Sequence, residues 1–178
     1  KFKIQPGVIT AEAGFISGLA IKTAIELCVN GEYDAIVTAP INKRSLNLGG
    51  FKFTGHTEML TTLSGAKDSC MVMLSDVLNM AFVTTHPPVK NIDSLITKKR
   101  LASKLQICRE VLLNDLALKK PAIAVLGLNP HAGDNGQIGD EEQKVIIPAM
   151  KEFSAKRRKL SVLINGPYSP DAFFASKK

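Results

Sequence analysis

The residues predict an α/β protein with a mixed, mostly parallel sheet flanked by helices. Three observations carry this. Ala35–Ala39 and Ala122–Leu126 are short apolar runs of the kind that form buried strands. Long stretches with helical spacing of apolar residues lie between such runs, as in helix-then-strand units. Ser69–Ser75 and Met80–Thr85 are β-rich and separated only by Asp76-Val77-Leu78-Asn79, which predicts a hairpin interrupting an otherwise parallel sheet.

Taken in order, residues 10–30 read as a helix. Thr10 is its cap and Glu12 lies in its first turn; Ile16, Leu19, Ala20, Thr23, Ala24 and Leu27 recur at helical spacing, and Asn30-Gly31 stops it. The strand Ala35–Ala39 ends at Pro40. Ile41–Thr54 is a loop or short helix carrying Asn42, Lys43 and Arg44; it leads to Gly55-His56-Thr57-Glu58 and to a turn or two of helix over Met59–Leu63. After the hairpin, Pro87-Pro88 halts the chain just beyond His86. Thr97–Leu118 reads as the longest helix, with Leu101, Leu105, Cys108, Val111, Leu112 and Leu116 on one stripe. The strand Ala122–Leu126, a glycine-broken polar loop from Gly127 to Glu142, a helix over about Glu141–Phe153 and a final strand Ser161–Ile164 complete the reading. The sequence shows no repeat, low-complexity tract or linker, and no domain boundary is assigned within residues 1–178.

Composition narrows the classes. The chain is 178 residues long, 45% hydrophobic and 22% charged, which fits a globular protein and excludes a disordered one. No apolar run approaches the roughly 18 residues of a membrane span, so no membrane association is expected. Cys28, Cys70 and Cys108 are isolated and flanked by apolar residues, as reduced core thiols are; a cytoplasmic protein is expected. The first residue is Lys1, and the chain reads as a piece of something longer. The net charge of +7 is uneven, with eight cationic and seven anionic side chains in residues 1–90 but fifteen and nine in residues 91–178. The basic runs Lys98-Lys99-Arg100, Lys119-Lys120, Lys156-Arg157-Arg158-Lys159 and Lys177-Lys178 lack interleaved aromatics for base stacking. They fall at expected helix ends, where cations suit the macrodipole, so no nucleic-acid partner is expected.

The chemistry is expected in the loops. All three histidines, His56, His86 and His131, lie in polar loops, and the last two directly follow strands. Parallel strands deliver their C-terminal ends to one edge of a sheet, so His86 and His131 can converge as ligands of a divalent metal. Each alone could equally be a hydrogen-bonded loop histidine. A catalytic metal wants about three protein ligands; the third could be His56, Asp134 or a residue beyond Lys178. Thr57, Asn42, Lys43 and the amides around Gly55 could receive an anion. Neither a dinucleotide fingerprint nor a Walker loop is present.

Several stretches together resemble one family. They are Thr38-Ala39-Pro40-Ile41-Asn42-Lys43, Phe53-Thr54-Gly55-His56-Thr57-Glu58, Thr84-Thr85-His86-Pro87, Gly127-Leu128-Asn129-Pro130-His131-Ala132-Gly133 with Gly139-Asp140-Glu141-Glu142, and Asn165-Gly166-Pro167. In order and spacing, over nearly the whole chain, they resemble the 4-hydroxythreonine-4-phosphate dehydrogenase family of pyridoxine biosynthesis. The resemblance implies the isocitrate/isopropylmalate dehydrogenase-like fold, incomplete here at both ends, with residues 1–178 as the central portion of a two-domain enzyme. It implies NAD-dependent oxidation of 4-phosphohydroxy-L-threonine, then decarboxylation to 3-amino-1-hydroxyacetone 1-phosphate, by a homodimer with shared active sites. The substrate is thus a small phosphorylated hydroxy amino acid. His56 and Thr57 map onto the family's substrate-binding pair, and His86 and His131 onto ligands of a divalent metal (Zn, Mg or Co). The third metal histidine and most cofactor contacts map beyond Lys178. Asn129 and Asp140 are candidate orienting groups, and Lys43 a candidate anion contact. Asp134-Asn135 stands where the family has Glu-Gly. The competing readings are a phospho-threonate or erythronate dehydrogenase, an acyl-phosphate transferase on the related fold, and a basic binding module.

Overall fold

The computed structural model describes residues 5–155 and 162–176 and resolves the chain into two units, Lys1–Ser69 and Cys70–Lys178. In the first, α1 (Ala11–Val29) starts where the Thr10 side chain accepts from the Ala13 N–H, and it stops at Asn30. The left-handed Gly31 follows, a conformation that glycine adopts without a Cβ penalty. The helix α2 (Lys43–Leu48) is capped by the Asn42 side chain, which accepts from the Ser45 N–H. The helix α3 (His56–Leu63) starts at Gly55. Ile21, Ile25, Leu46 and Met59 form the core of this unit, with Ile36, Ile41, Phe51 and Phe53 packed around it.

Glycine lets α1 and α2 approach this closely. Gly14 and Gly18 lie on the buried face of α1. A methyl group at Gly14 would run into the Ser45 carbonyl, and one at Gly18 into the Phe51 ring. The Ser45 hydroxyl donates to the Thr10 carbonyl, joining the start of one helix to the other.

The second unit begins with the antiparallel pair β1 (Met71–Met73) and β2 (Met80–Phe82), in the register Met71 opposite Phe82. A short helix, α4 (Ile92–Leu95), precedes α5 (Lys98–Glu110), whose Thr97 cap accepts from the Arg100 N–H; a π-helical turn, Val111–Asp115, extends α5. The strands β3 (Ala122–Leu126) and β4 (Leu163–Tyr168) pair in parallel, and α6 (Ile147–Ala155) lies between them in the sequence, making a βαβ unit. Gly127 N–H donates to the Tyr168 carbonyl at 2.8 Å, and α7 (Pro170–Ala175) follows at once. Leu101, Leu105, Val125, Ile146, Ala149, Met150 and Phe153 form the core, with Val83 and Leu128 packed against it.

Several expectations need correction. Ala35–Ala39 forms no strand among the described residues, and Val37 is 99% exposed, so it is not a buried strand. The described strands form two separate two-stranded sheets, one antiparallel and one parallel, instead of one mixed sheet. The buried stripe of α1 is Gly14, Gly18, Ile21 and Ile25, while Leu19 is exposed. This helix is apolar on several faces, so spacing alone does not select the one that packs. At 19 residues α1, not the helix after Thr97, is the longest α-helix. The last strand runs on through Asn165-Gly166-Pro167-Tyr168; Ser161, where it was expected to begin, lies outside the described residues. Lys98-Lys99-Arg100 occupies the first turn of α5, the end of the dipole that cations do not favour. Residues 156–159 and 177–178 lie outside the described set. No helix among the described residues is long and apolar enough to cross a membrane.

The close α1–α2 approach yields a first test. Gly14→Ala must push the two backbones apart and is expected to cost about 2–3 kcal/mol in urea unfolding. Lys22→Ala, which removes only an exposed i,i+4 pair with Glu26, is expected to change stability by less than about 0.5 kcal/mol.

Candidate functional site

The loop after β3 is built on a buried carboxylate. Glu142 is 2% exposed. Its Oε1 accepts from the Leu128 and Asn129 N–H groups at 2.7 and 2.8 Å, and its Oε2 accepts from Asn129 Nδ2 at 2.9 Å. The same Asn129 amide donates to Glu141 at 2.7 Å. Burial by itself would raise the Glu142 carboxyl, but the backbone and side chain of Asn129 and the backbone of Leu128 hold it below the ordinary glutamate range.

Pinned at that end, the chain turns through a left-handed segment. His131, Ala132, Gly133, Asp134 and Asn135 have φ of 51°, 51°, 81°, 42° and 57°. For non-glycine residues this conformation costs about 1 kcal/mol or more each, and such strain collects at functional sites. Gly133 is buried against the Gly139 carbonyl and Glu142 Oε2, leaving no room for a side chain. The turn lifts His131 outward: its side chain is 70% exposed, and Nδ1 lies 2.9 Å from Asp171 Oδ2. Because a carboxylate only accepts, Nδ1 carries a proton in this pair, and in the neutral ring the lone pair is therefore on Nε2. Asp171 stands in the first turn of α7. Its own N–H and the Ser169 hydroxyl, with a smaller contribution from His131, hold its carboxyl below the usual range.

A histidine whose Nδ1 is fixed by a carboxylate and whose Nε2 faces open space has the geometry of a metal ligand. His86 is also exposed, in the turn after β2. Thr84 on the His86 side and Gly127 and Leu128 on the His131 side line one cavity of about 210 Å³, floored by Leu101, Val125 and Ile146. Among the described residues no group of three His, Cys, Asp or Glu side chains could hold an ion. Within the second unit, Asp134 therefore does not complete a set with His86 and His131. Asp140 pairs with Lys144, and Asn129 braces the loop through Glu141 and Glu142. The supports that sequence reading missed are Glu142 and Asp171. A run of acidic residues opening a helix was the available signal for the first, and nothing local signalled the second.

In the first unit, α3 opens with no side chain capping its N–H groups. Glu58 Oε2 instead accepts from the N–H and hydroxyl of Thr54, at 2.6 and 2.7 Å. His56 is half-buried, and its Nε2 is buried without a hydrogen-bond partner; Thr57 is exposed. Asn47 Nδ2 donates to the carbonyls of Lys43 and Phe53, tying α2 to the approach to α3. A methyl group at Gly55 would lie 3.4 Å from Lys43 Cε and 3.9 Å from its Nζ, so the lysine side chain runs over the turn that starts α3. Free helix N–H groups, an ammonium, a hydroxyl and an unsatisfied imidazole nitrogen make a site suited to a phosphoryl group.

The family described as pyridoxal phosphate biosynthetic protein PdxA matches residues 1–178. A 4-hydroxythreonine-4-phosphate dehydrogenase of Sulfurihydrogenibium is 39% identical over 96% of this chain and 52% of its own length. A D-threonate 4-phosphate dehydrogenase of Salmonella typhimurium is 37% identical over 96% of the chain and 51% of its own. The crystal structure of a 4-hydroxythreonine-4-phosphate dehydrogenase from Klebsiella pneumoniae superposes with a TM-score of 0.86 at 35% identity, over 96% of this chain and 51% of that one. The chain thus spans about half the length of the curated relatives it matches.

The Glu142 site sets a pH dependence. Its folded pKa is depressed, so its contribution is complete above the glutamate range and is lost as pH falls through the folded value. Glu142→Gln is expected to cost about 2–4 kcal/mol at neutral pH, because an amide replaces the charged acceptor. In urea unfolding, the gap between variant and parent should narrow progressively as pH falls below the ordinary glutamate range.

Proposed function

The chain belongs to the pyridoxal phosphate biosynthetic protein PdxA family, and from that premise we propose that the protein is a 4-hydroxythreonine-4-phosphate dehydrogenase. It oxidises 4-phosphohydroxy-L-threonine with NAD and releases CO₂ to give 3-amino-1-hydroxyacetone 1-phosphate. The observation that carries the reading is the His131–Asp171 pair, which sets an imidazole nitrogen free at the tip of a braced turn. The whole protein is taken to have the isocitrate/isopropylmalate dehydrogenase-like fold and to act in the cytoplasm as a homodimer with shared active sites.

The residues divide the work by chemistry. His56 and Thr57, with Lys43 over the same turn, hold the phosphate end of the substrate, which limits the positions open to the reacting carbon. His131, through Nε2, and His86 hold a divalent cation (Zn, Mg or Co) together with a ligand outside this chain. When bound, the cation supplies the charge that lowers the pKa of the substrate hydroxyl and polarises the carbonyl formed from it, while NAD accepts the hydride. Asp171 keeps His131 in the tautomer that presents a lone pair, and Glu142 keeps the turn from relaxing.

A second reading has its own support in the relative that acts on D-threonate 4-phosphate. The two substrates share a phosphate and a hydroxy acid, so the groups described here serve either.

Two measurements test these readings in the full-length protein. Turnover of 4-phosphohydroxy-L-threonine should exceed that of D-threonate 4-phosphate; the reverse order favours the second reading, and turnover of neither overturns both. Asp171→Asn should weaken metal affinity about 10–100-fold in a competitive chelator titration without shifting the unfolding midpoint. His86→Ala and His131→Ala should each abolish stoichiometric metal; full retention of metal and turnover in both overturns the assignment.

A further inference from the structure

Two cysteines that the reading above leaves unused face each other in the second unit. The β1–β2 register places Met71 opposite Phe82 and Val72 opposite Ala81; continued by one step, it places Cys70 opposite Val83. Directly opposed residues of an antiparallel pair project to the same side. Val83 packs on the core that contains Leu101 and Leu105 of α5, so Cys70 faces α5 too. Cys108 follows Leu105 by three positions and Leu101 by seven, on the same face of that helix. The two side chains are close enough there that Cys70 perturbs the Cys108 thiol, while Cys70 Sγ also lies 3.7 and 3.8 Å from the carbonyls of Met71 and Phe82. Both residues are half-buried and neither is in a disulfide.

We propose that Cys70 and Cys108 are an oxidation site: a thiol pair that closes to an intramolecular disulfide, fastening the head of the β1–β2 hairpin to α5. The oxidant is a low-molecular-weight disulfide. The Cys70 thiolate attacks one sulfur of that disulfide, forming a mixed disulfide and expelling the first small thiolate. The Cys108 thiolate then attacks the Cys70 sulfur, forming the protein disulfide and expelling the second. Two protein thiols are oxidised, one disulfide is reduced to two thiols, and the protons pass between the thiols and solvent with none left over. Cys70 attacks first, because contact with its neighbour and burial both hold the Cys108 thiol protonated. Cys28 lies on α1, in the other unit, and has no part in this chemistry. Since β2 leads through Val83-Thr84-Thr85 to His86, the bridge restrains the strand that delivers that histidine.

The test uses the full-length native protein and oxidised glutathione as the probe, with a denatured sample oxidised in parallel. Tryptic mapping of the native sample should recover residues 68–90 linked to residues 105–109, two hydrogens lighter than the sum of the reduced peptides, and dithiothreitol should separate them. Cys108→Ser should instead accumulate a glutathionyl adduct on Cys70, because the resolving thiol is gone. The proposal is overturned if both cysteines stay alkylatable in the native protein while the denatured chain oxidises. It is equally overturned if Cys28 is the partner recovered, or if native wild-type protein retains glutathione on Cys70.

Discussion

A carboxylate taken out of water holds the loop after β3 in place. Glu142 is nearly inaccessible, and stripping solvent from its charge would be prohibitive without compensation. Three N–H donors from Leu128 and Asn129 provide it. The benefit runs both ways: two backbone N–H groups leaving a strand have no strand partner in that turn, and the carboxylate satisfies them. Once they are fixed, residues 131–135 can be held in left-handed geometry that an untethered loop would abandon. The position of His131 is therefore decided by a residue eleven places further on in the chain.

What could be read from the sequence was what local chemistry decides. Thr10 was legible as a cap because its hydroxyl reaches an N–H three residues on, which is visible in a short window; Asn42 and Thr97 cap their helices in the same way but were not read as caps. The hairpin and the strand Ala122–Leu126 were likewise legible in a short window, and so were the turns that carry His86 and His131, whereas His56, expected in a loop, opens α3. Features that depend on a distant partner were not. Ala35–Ala39 has strand composition, but a strand needs a neighbour, and composition does not say whether one is present. The packed face of α1 is chosen by two glycines whose value lies in the α2 backbone they admit. Asp171 lies 40 residues from His131, and only the parallel pairing of β3 with β4 brings α7 beside the turn.

The two candidate sites use opposite electrostatic means. At the start of α3, neutral N–H groups and one ammonium prepare a place for negative charge, and an imidazole nitrogen is left without a partner. At the tip of the loop after β3, a carboxylate sits behind an imidazole and makes it a better electron-pair donor toward a cation. The first arrangement is suited to gripping a phosphate that does not react, the second to the end of a molecule where charge changes. The relatives that cover most of this chain are named for phosphorylated hydroxy acids.

The bonds to Glu142 also give the loop a reporter of its own. The amide protons of Leu128 and Asn129 point at a carboxylate, not at a strand carbonyl, so they should exchange with solvent when the loop releases, whether or not the neighbouring β3–β4 ladder opens. Their isotope exchange would separate the breathing of this turn from unfolding of the unit around it. The turn that presents His131 can thus be followed on its own clock, residue by residue, in a protein whose other amides report the fold.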